Sequence, residues 1–357
     1  MISYLPIRVA LPVPLRRQFD YLAPSPLPAI GCRVRVSFGR QLLVGLVTGH
    51  PEQSDLPLDK LKPITEQLDH ASLLPDALWQ LLLWSAHYYQ HPLGEVLQHA
   101  LPVLLRQGEP ALRRPLESWR LTARTEAEGY RPGKTALRQH LALQLLQDGP
   151  LTAADLREAG VDAQVLAKLA AKQVVEKFDL LTLQEDWRDT LLLHESDQHQ
   201  LNTEQALAVA QVQGHGAEFG VFLLDGVTGS GKTEVYLQLI APVLARGQQV
   251  LVLVPEIGLT PQTLQRFRRR FAAPILTLHS GMNDRERLEA WLACQQGEAA
   301  ILIGTRSALF TPFRDLGLIL IDEEHDGSFK QQEGFRYHAR DLAVMRARLE
   351  SCPILLG

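Results

Sequence analysis

Apolar and polar positions along the chain change rhythm twice, and each rhythm predicts a different kind of structure. Up to about residue 105 the apolar runs are short and broken by Pro and Gly. Within CRVRVSFG, Val34, Val36 and Phe38 alternate with Arg33, Arg35 and Ser37, which predicts a strand with one basic face. A second apolar run, Leu42 to Thr48, follows closely, and Pro75 to Gln90 carries apolar residues at helical spacing. Residues 1–105 therefore read as a small β-rich domain with an appended helix. From about 115 to 180 the texture becomes helical, with KTALRQHLALQLLQ, the turn DGP, LTAADLREAG and VDAQVLAKLAAKQ before the strand-like VVEKFD. Three helices and a strand suggest a winged-helix-like domain, a module that either binds duplex DNA or serves as a protein contact or spacer. Residues 181–200, with the run HESDQHQ, read as a linker. From 201 to 357 the apolar runs VFLLD, QVLVLVP, PILTLH, AAILIG, LGLILID and PILLG alternate with amphipathic helical stretches. That alternation predicts an α/β domain, a parallel sheet covered by helices on both faces. The last run stops at Gly357, where such a domain normally continues, so a further lobe is expected beyond it.

Composition narrows the class. The 357 residues suit two or three domains, and 46% hydrophobic with 21% charged residues supplies real cores and excludes a disordered chain. No apolar run approaches the ~18 to 20 residues of a membrane helix, and the start lacks a charged segment followed by an unbroken apolar one. A cytoplasmic location with no membrane partner is the expectation. Lys and Arg number 36 against 40 Asp and Glu, so any surface for a polyanion must be local. Two regions qualify: Arg8, Arg16, Arg17, Arg33, Arg35 and Arg40 near the start, and the stretch from Arg106 to Arg138. Either could equally be an ordinary solvated face. Cys32, Cys294 and Cys352 are far apart with no CxxC, which excludes a zinc cluster built from this chain and predicts buried thiols.

The sharpest chemical signal is GVTGSGKT, comprising Gly226, Val227, Thr228, Gly229, Ser230, Gly231, Lys232 and Thr233. It fits the phosphate-binding pattern G-x-x-x-x-G-K-[ST] between a strand and a helix. Glycines let successive N–H groups curl around phosphates at a helix N-terminus, Lys232 reaches the β- and γ-phosphates, and the Thr233 hydroxyl holds Mg²⁺. ATP with Mg²⁺ is the expected cofactor. In LGLILIDEEHD a strand delivers Asp322, Glu323, Glu324 and His325 to its C-terminal end, where parallel sheets place ligands. Asp322 would complete the Mg²⁺ site and Glu323 would orient or deprotonate the attacking water.

Asp-Glu-x-His as the second motif resembles the superfamily 2 helicases. LNTEQ, GVTGSGKTEVY, LVPEIGLTPQ, LHSGMND, GTRSALFTPF and DEEHDGSFKQQEGFRYHARDLAVMRA, taken in order, resemble the primosomal replication-restart helicases, the PriA family. The N-terminal ALPVPLRRQFDYL, GCRVRVSFG, LKPITEQLD and WSAHYYQHPLGEVLQHALPVLLRQG are similar to that family's DNA-binding domain. The resemblance implies a RecA-like first motor lobe in an ATP-driven enzyme that moves 3′ to 5′ on DNA. It further implies recognition of abandoned forks and help in reloading the replicative helicase. Implied partners are forked DNA with a 3′-OH end, single-stranded DNA, single-stranded-DNA-binding protein and other primosome proteins. Zinc is implied for a second lobe outside this chain, and that lobe would also supply an arginine finger, so the present chain alone should hydrolyse ATP poorly.

By the same resemblance Gln205 would contact adenine, while Pro255 to Gln262 and Gly304 to Phe310, notably Thr305 and Arg306, would touch the DNA backbone. Downstream of DEEH, Phe329, Phe335 and Tyr337 are interleaved with Lys330 and Arg336, a composition suited to stacking on bases while neutralising phosphates, or equally to a small aromatic packing cluster; the resemblance implies a DNA-contacting loop here. Phe335 stands where the family pattern has proline. A pocket for a 3′ strand end maps onto Phe19, Asp20, Gly39 and Lys62. There Asp20 would accept a hydrogen bond from the 3′-OH and Phe19 would stack on the last base, with Arg33, Arg35 and Lys62 holding the backbone. The residues alone leave open a core Phe19 and an Asp20 salt-bridged to a nearby arginine. At the level of function, a non-catalytic DNA-end-binding and docking module with a structural P-loop is the competing reading.

Overall fold

The computed structural model describes residues 4–114, 117–147, 149–179, 187–188, 200–227 and 229–357. Most of the expected linker at 181–200, and Thr228 of the P-loop, lie outside the described residues.

The N-terminal part is an antiparallel sheet of β1 (Tyr4–Ala10), β2 (Phe19–Pro24), β3 (Arg33–Phe38), β4 (Gln41–Gly49) and β5 (Glu66–Gln67), in the order β2-β1-β4-β3-β5. Gly39 and Arg40 alone join β3 to β4, and Gly39 has φ +60°, the left-handed value that a tight hairpin asks of its first central residue. Val34 and Val36 face the core as the alternation requires, but the basic face is not free. Arg33 is fully buried: its guanidinium donates to both Asp69 carboxylate oxygens at 2.8 Å and to the carbonyls of Leu105 and Glu109. Arg35 pairs with Glu66 at 3.0 Å. The segment around Leu105 to Glu109 covers this end of β3, so Arg33 ties the sheet to that segment and does not hold DNA.

Three helices complete this part: α1 (Asp76–Tyr88), α2 (Leu93–His99) and α3 (Val103–Arg106). Leu78, Leu81, Leu82 and Ser85 line the buried face of α1, at helical spacing. A Cβ on Gly94 of α2 would sit 1.7 Å from the Leu11 carbonyl, so glycine is what lets α2 approach the sheet.

The middle part contains β6 (Glu117–Leu121), α4 (Ala123–Glu128), α5 (Leu137–Gln147), β7 (Leu151–Thr152), α6 (Ala153–Glu158), α7 (Ala163–Ala171) and β8 (Val175–Asp179), with the three strands ordered β7-β6-β8. Thr122, Thr152 and Asp162 cap α4, α6 and α7 by accepting from backbone N–H groups three residues on. Helices α5, α6 and α7 match the three periodic stretches, whereas α4 and β6 lie in a segment whose elements the pattern did not single out. Trp119 and Leu121 of β6 alternate into the core beneath α5 and α7.

The last part holds α8 (Thr203–His215), β9 (Val221–Leu223), α9 (Lys232–Ala245), β10 (Gln249–Leu253), α10 (Pro261–Arg270), β11 (Ile275–Leu278), α11 (Asp284–Gln296), β12 (Ile301–Gly304), β13 (Leu316–Ile321), α12 (Ala339–Leu349) and β14 (Ile354–Leu356). Its six strands run parallel in the order β11-β12-β10-β13-β14-β9. Every apolar run singled out between 201 and 357 became one of these strands, as the period of the pattern requires of a sheet covered by helices. Trp187, inside the expected linker, is buried in this core and donates its indole N–H to the Gly297 carbonyl at 2.9 Å.

The parts share cores. Leu78, Leu81, Leu82, Val96 and Leu97 of α1 and α2 belong to one apolar cluster with Trp291 of α11 and Leu342, Ala343 and Ala347 of α12. Trp291 donates to the Ala100 carbonyl at 3.0 Å. The middle part is fastened by charge. Asp155 of α6 is buried against the last part, where it accepts from Thr277 Oγ1 at 2.6 Å and Arg268 Nη2 at 2.9 Å. His279 lies between Asp155 and Glu158, and Arg157 donates to the Gly281 carbonyl and to Glu286. The three cysteines are free and buried. Among the described residues no helix is long and apolar enough to cross a membrane.

Candidate functional site

Strand order brings the two hydrolysis motifs together. The P-loop leaves β9 and the DEEH segment leaves β13, with only β14 between them, so both lie at the C-terminal edge of the sheet. Gly231 takes a left-handed φ of +86° immediately before α9, and Gly229 has φ +83°. Lys232 Nζ donates to the Gly226 carbonyl at 3.0 Å and lies 3.4 Å from Glu323 Oε1. Glu323 has φ +49°, an unusual value for a residue other than glycine, and this turn points its carboxylate to Lys232. Asp322 accepts from the Tyr236 hydroxyl at 3.0 Å.

The remaining nucleotide-site expectations divide. Gln205 Nε2 donates to the Ser230 carbonyl at 3.0 Å, and Asn202 with Gln205 forms a reciprocal cap on α8, so Gln205 is fastened at the P-loop. Thr233 sits in the first turn of α9. Val227 is exposed. Glu324 turns to Arg340 at 2.8 Å and His325 is largely exposed, 3.7 Å from Glu323. A hydroxyl at Thr233, a carboxylate at Asp322 and a cation at Lys232, set around a helix N-terminus, form a donor set that fits a magnesium nucleotide.

A second region lies along the motor part. His99, Glu256, Ser280, Arg287, Thr305, Arg306, Ser307, Ser328, Gln331 and Tyr337 line a cleft of 280 Å³. Thr305 is largely buried, whereas Arg306 reaches across and donates to the carbonyls of Ser328 and Lys330 at 2.8 and 3.0 Å. Arg306 thus joins the GTRSALF motif to the segment leaving DEEH.

That segment corrects one expectation. The rings of Phe329, Phe335 and Tyr337 are buried, at 0%, 4% and 3% exposure, so they do not face bases in this structure. Phe335 lies between Tyr89, His91 and His99 of the N-terminal part and Phe310 and Tyr337 of the last part. The departure from proline therefore adds a ring to an interdomain aromatic cluster. Lys330 and Arg336 remain exposed, free to meet phosphates. His99, enclosed by the same cluster, has its pKa lowered to about 4 by burial and then by the charges of Arg106 and Arg306.

The N-terminal sheet carries a larger cavity, about 560 Å³, and Phe19, Asp20, Gly39 and Lys62 all line it. Sequence reasoning placed these four together; the structure supplies the reasons. Register sets Arg8 of β1 opposite Asp20 of β2, and Arg8 donates to both Asp20 oxygens at 2.9 and 3.3 Å. Ser54 Oγ donates to Asp20 Oδ2 at 2.8 Å. Burial would raise the Asp20 pKa, but the Arg8 and Ser54 hydrogen bonds and the Arg8 charge outweigh it and hold the carboxyl below its usual range. Asp20 is thus salt-bridged to Arg8, as the residues alone allowed, and it also lines the cavity. Phe19 stacks edge-on against Phe38 at 4.9 Å and carries Arg17 over its ring at 5.1 Å.

Ser54 was missed, and Arg8 and Phe38, named only in the basic region and in a strand, were not tied to Asp20 and Phe19, because only the folded sheet brings these side chains together. Tyr236 was missed for a similar reason: its hydroxyl reaches Asp322 over 86 residues of sequence.

Comparison with known proteins agrees with this geometry. Residues 8–102 match the family of the 3′ DNA-binding domain (3′BD), and residues 202–355 match the DEAD/DEAH box helicase family. Replication restart protein PriA of Haemophilus influenzae is 47% identical over 98% of this chain, which covers 48% of that protein. The Bacillus subtilis protein of the same name is 33% identical over 96% of the chain, covering 51% of it. The chain thus spans about half the length of the curated relatives it matches. Both domain matches stand in their expected order, and along nearly its whole length the chain is similar to about half of replication restart protein PriA.

Proposed function

We propose that this chain is the DNA-binding half and first motor lobe of an ATP-dependent DNA helicase that moves 3′ to 5′, recognises stalled or abandoned forks and promotes primosome assembly. The observation that carries the proposal is the meeting of Lys232 and Glu323 at 3.4 Å on a sheet edge, in a chain that also holds the Asp20 cavity. On this reading Lys232 leaves the Gly226 carbonyl for the β- and γ-phosphates, and the N-terminus of α9 faces them with its positive dipole. Glu323 orients the attacking water and takes its proton. Thr233 and Asp322 would hold magnesium, which when bound neutralises charge on the phosphates.

Arg306 supplies the link to DNA. A backbone phosphate drawn to its guanidinium competes with the carbonyls of Ser328 and Lys330, so strand contact reaches the segment that begins at DEEH. At the other site a terminal 3′-OH donates to Asp20 while its base lies on Phe19, and Lys62 with Arg17 meets the backbone. Gly39 leaves the cavity mouth without a side chain. By family resemblance the proposal extends to single-stranded-DNA-binding protein and primosome components as partners, to the cytoplasm, and to zinc held by a further lobe.

Lys232→Ala tests it. The variant should lose ATP binding, read by a fluorescent ATP analogue, and keep its affinity for forked DNA. Unchanged ATP binding would contradict the P-loop assignment; loss of fork binding would contradict separate sites.

A further inference from the structure

Tyr236 lies one helical turn beyond Lys232 on the same face of α9, buried in the motor core. Its hydroxyl donates to Asp322 Oδ1 at 3.0 Å. The other oxygen, Oδ2, has no hydrogen-bond partner among the described residues. Packing alone does not call for this arrangement, since phenylalanine would fill the same space. The neighbouring backbone is adapted to the hydroxyl as well. Gly357 follows β14, the strand between β9 and β13, and a Cβ on it would lie 1.9 Å from the Tyr236 hydroxyl oxygen. Glycine there is what lets the hydroxyl cross the end of β14 to reach the carboxylate. The Gly357 carbonyl also accepts from the Glu324 N–H at 2.8 Å, so one residue steadies the DEEH backbone and admits the phenol.

We propose that Tyr236 is a positioning residue for Asp322: its hydroxyl fixes Oδ1 and leaves Oδ2 for the magnesium of a bound nucleotide or for a water on that ion. The inference rests on the nucleotide site assigned under the proposed function. Carboxylates that hold metals are commonly oriented by hydrogen bonds from outside the ligand set, and removing such a partner weakens metal binding without removing a ligand.

Tyr236→Phe removes only the hydroxyl. The chain and this variant are titrated with Mg²⁺ at a fixed concentration of fluorescent ATP analogue, and nucleotide affinity is also measured in EDTA. The expected result is a rise of about tenfold in the Mg²⁺ concentration at half-saturation, with affinity in EDTA unchanged and the melting midpoint lowered by only the small amount that one hydrogen bond contributes. Gly357→Ala, which displaces the phenol, should shift the Mg²⁺ midpoint in the same direction. An unchanged Mg²⁺ midpoint in Tyr236→Phe, with nucleotide still bound, overturns the positioning role and leaves the nucleotide site standing. Failure of the unmodified chain to bind the analogue overturns both.

Discussion

Asp155 is where the middle part is bolted to the motor, and replacing it with asparagine should loosen that joint severely. Its carboxylate is buried between Arg268 and Thr277, with side-chain exposures of 4% for Asp155 and 11% for Arg268. Asparagine keeps the shape and can still accept from Thr277. Its amide N–H groups, however, add donors beside the Arg268 guanidinium, which loses its counter-charge. Breaking a buried ion pair from one side costs about 3 to 5 kcal/mol, so opening of α6 should become about a hundredfold more frequent or more. Thr277→Val removes one hydrogen bond and should cost only about 1 kcal/mol. Arg138→Ala, which deletes the exposed pair with Asp162, should cost under about 1 kcal/mol. Amide hydrogen exchange across α6 and β7 reads the first two directly, with Arg138→Ala, between α5 and the start of α7, as the surface control. Burial alone would raise the Asp155 pKa, but the contacts of His279, Arg268 and Thr277 hold it well below the usual carboxylate range. Its contribution is therefore complete above about pH 4 and lost as the pH falls below that, a dependence Asp155→Asn should lack. An exchange rate in Asp155→Asn within about tenfold of that in Arg138→Ala would refute the reasoning.

Other outcomes rest on single contacts. Arg306→Ala should weaken DNA binding evenly across sequences and make the salt dependence shallower by about one unit of slope, measured by fluorescence anisotropy. Phe329→Leu should lower stability by about 1 kcal/mol and leave single-stranded DNA affinity unchanged; a loss of affinity without a loss of stability would return that ring to the DNA. Because His99 is held neutral down to about pH 4, the unfolded chain takes up its proton first, and stability should fall as the pH drops from about 6.5 toward 4. His99→Gln should flatten thermal midpoints over that window.

What the sequence made legible was whatever chemistry is local. The P-loop, the DEEH motif and the six strands of the motor sheet are contiguous runs, and a parallel sheet sandwiched between helices leaves a continuous apolar pattern. Phe19, Asp20, Gly39 and Lys62 were reached through family motifs and do share one cavity. Contacts made by register or between parts were not legible. Nothing in RVRV says that Arg33 is swallowed by Asp69 and the Leu105 carbonyl while Arg35 stays half-exposed, because the difference is made by a segment some seventy residues later. The aromatic residues after DEEH were left between DNA stacking and a packing cluster for the same reason. Their interleaving with Lys330 and Arg336 suits DNA, but α1 and α2 dock there and enclose the rings. Trp187 shows the converse, a residue in a polar stretch that is nonetheless buried in a core.

The central claim is that this chain reads a strand's 3′ end at Asp20, and affinity for forked DNA carrying either a 3′-OH or a 3′-phosphate tests it most directly. At one fixed salt concentration the 3′-OH fork should bind about tenfold more tightly, since a phosphate loses the hydrogen bond to the carboxylate and meets its charge. Asp20→Ala should erase that preference. Equal affinity of the unmodified chain for both forks would contradict the claim, leaving the Arg8–Asp20 pair as a tie between two strands and the cavity without its assigned ligand.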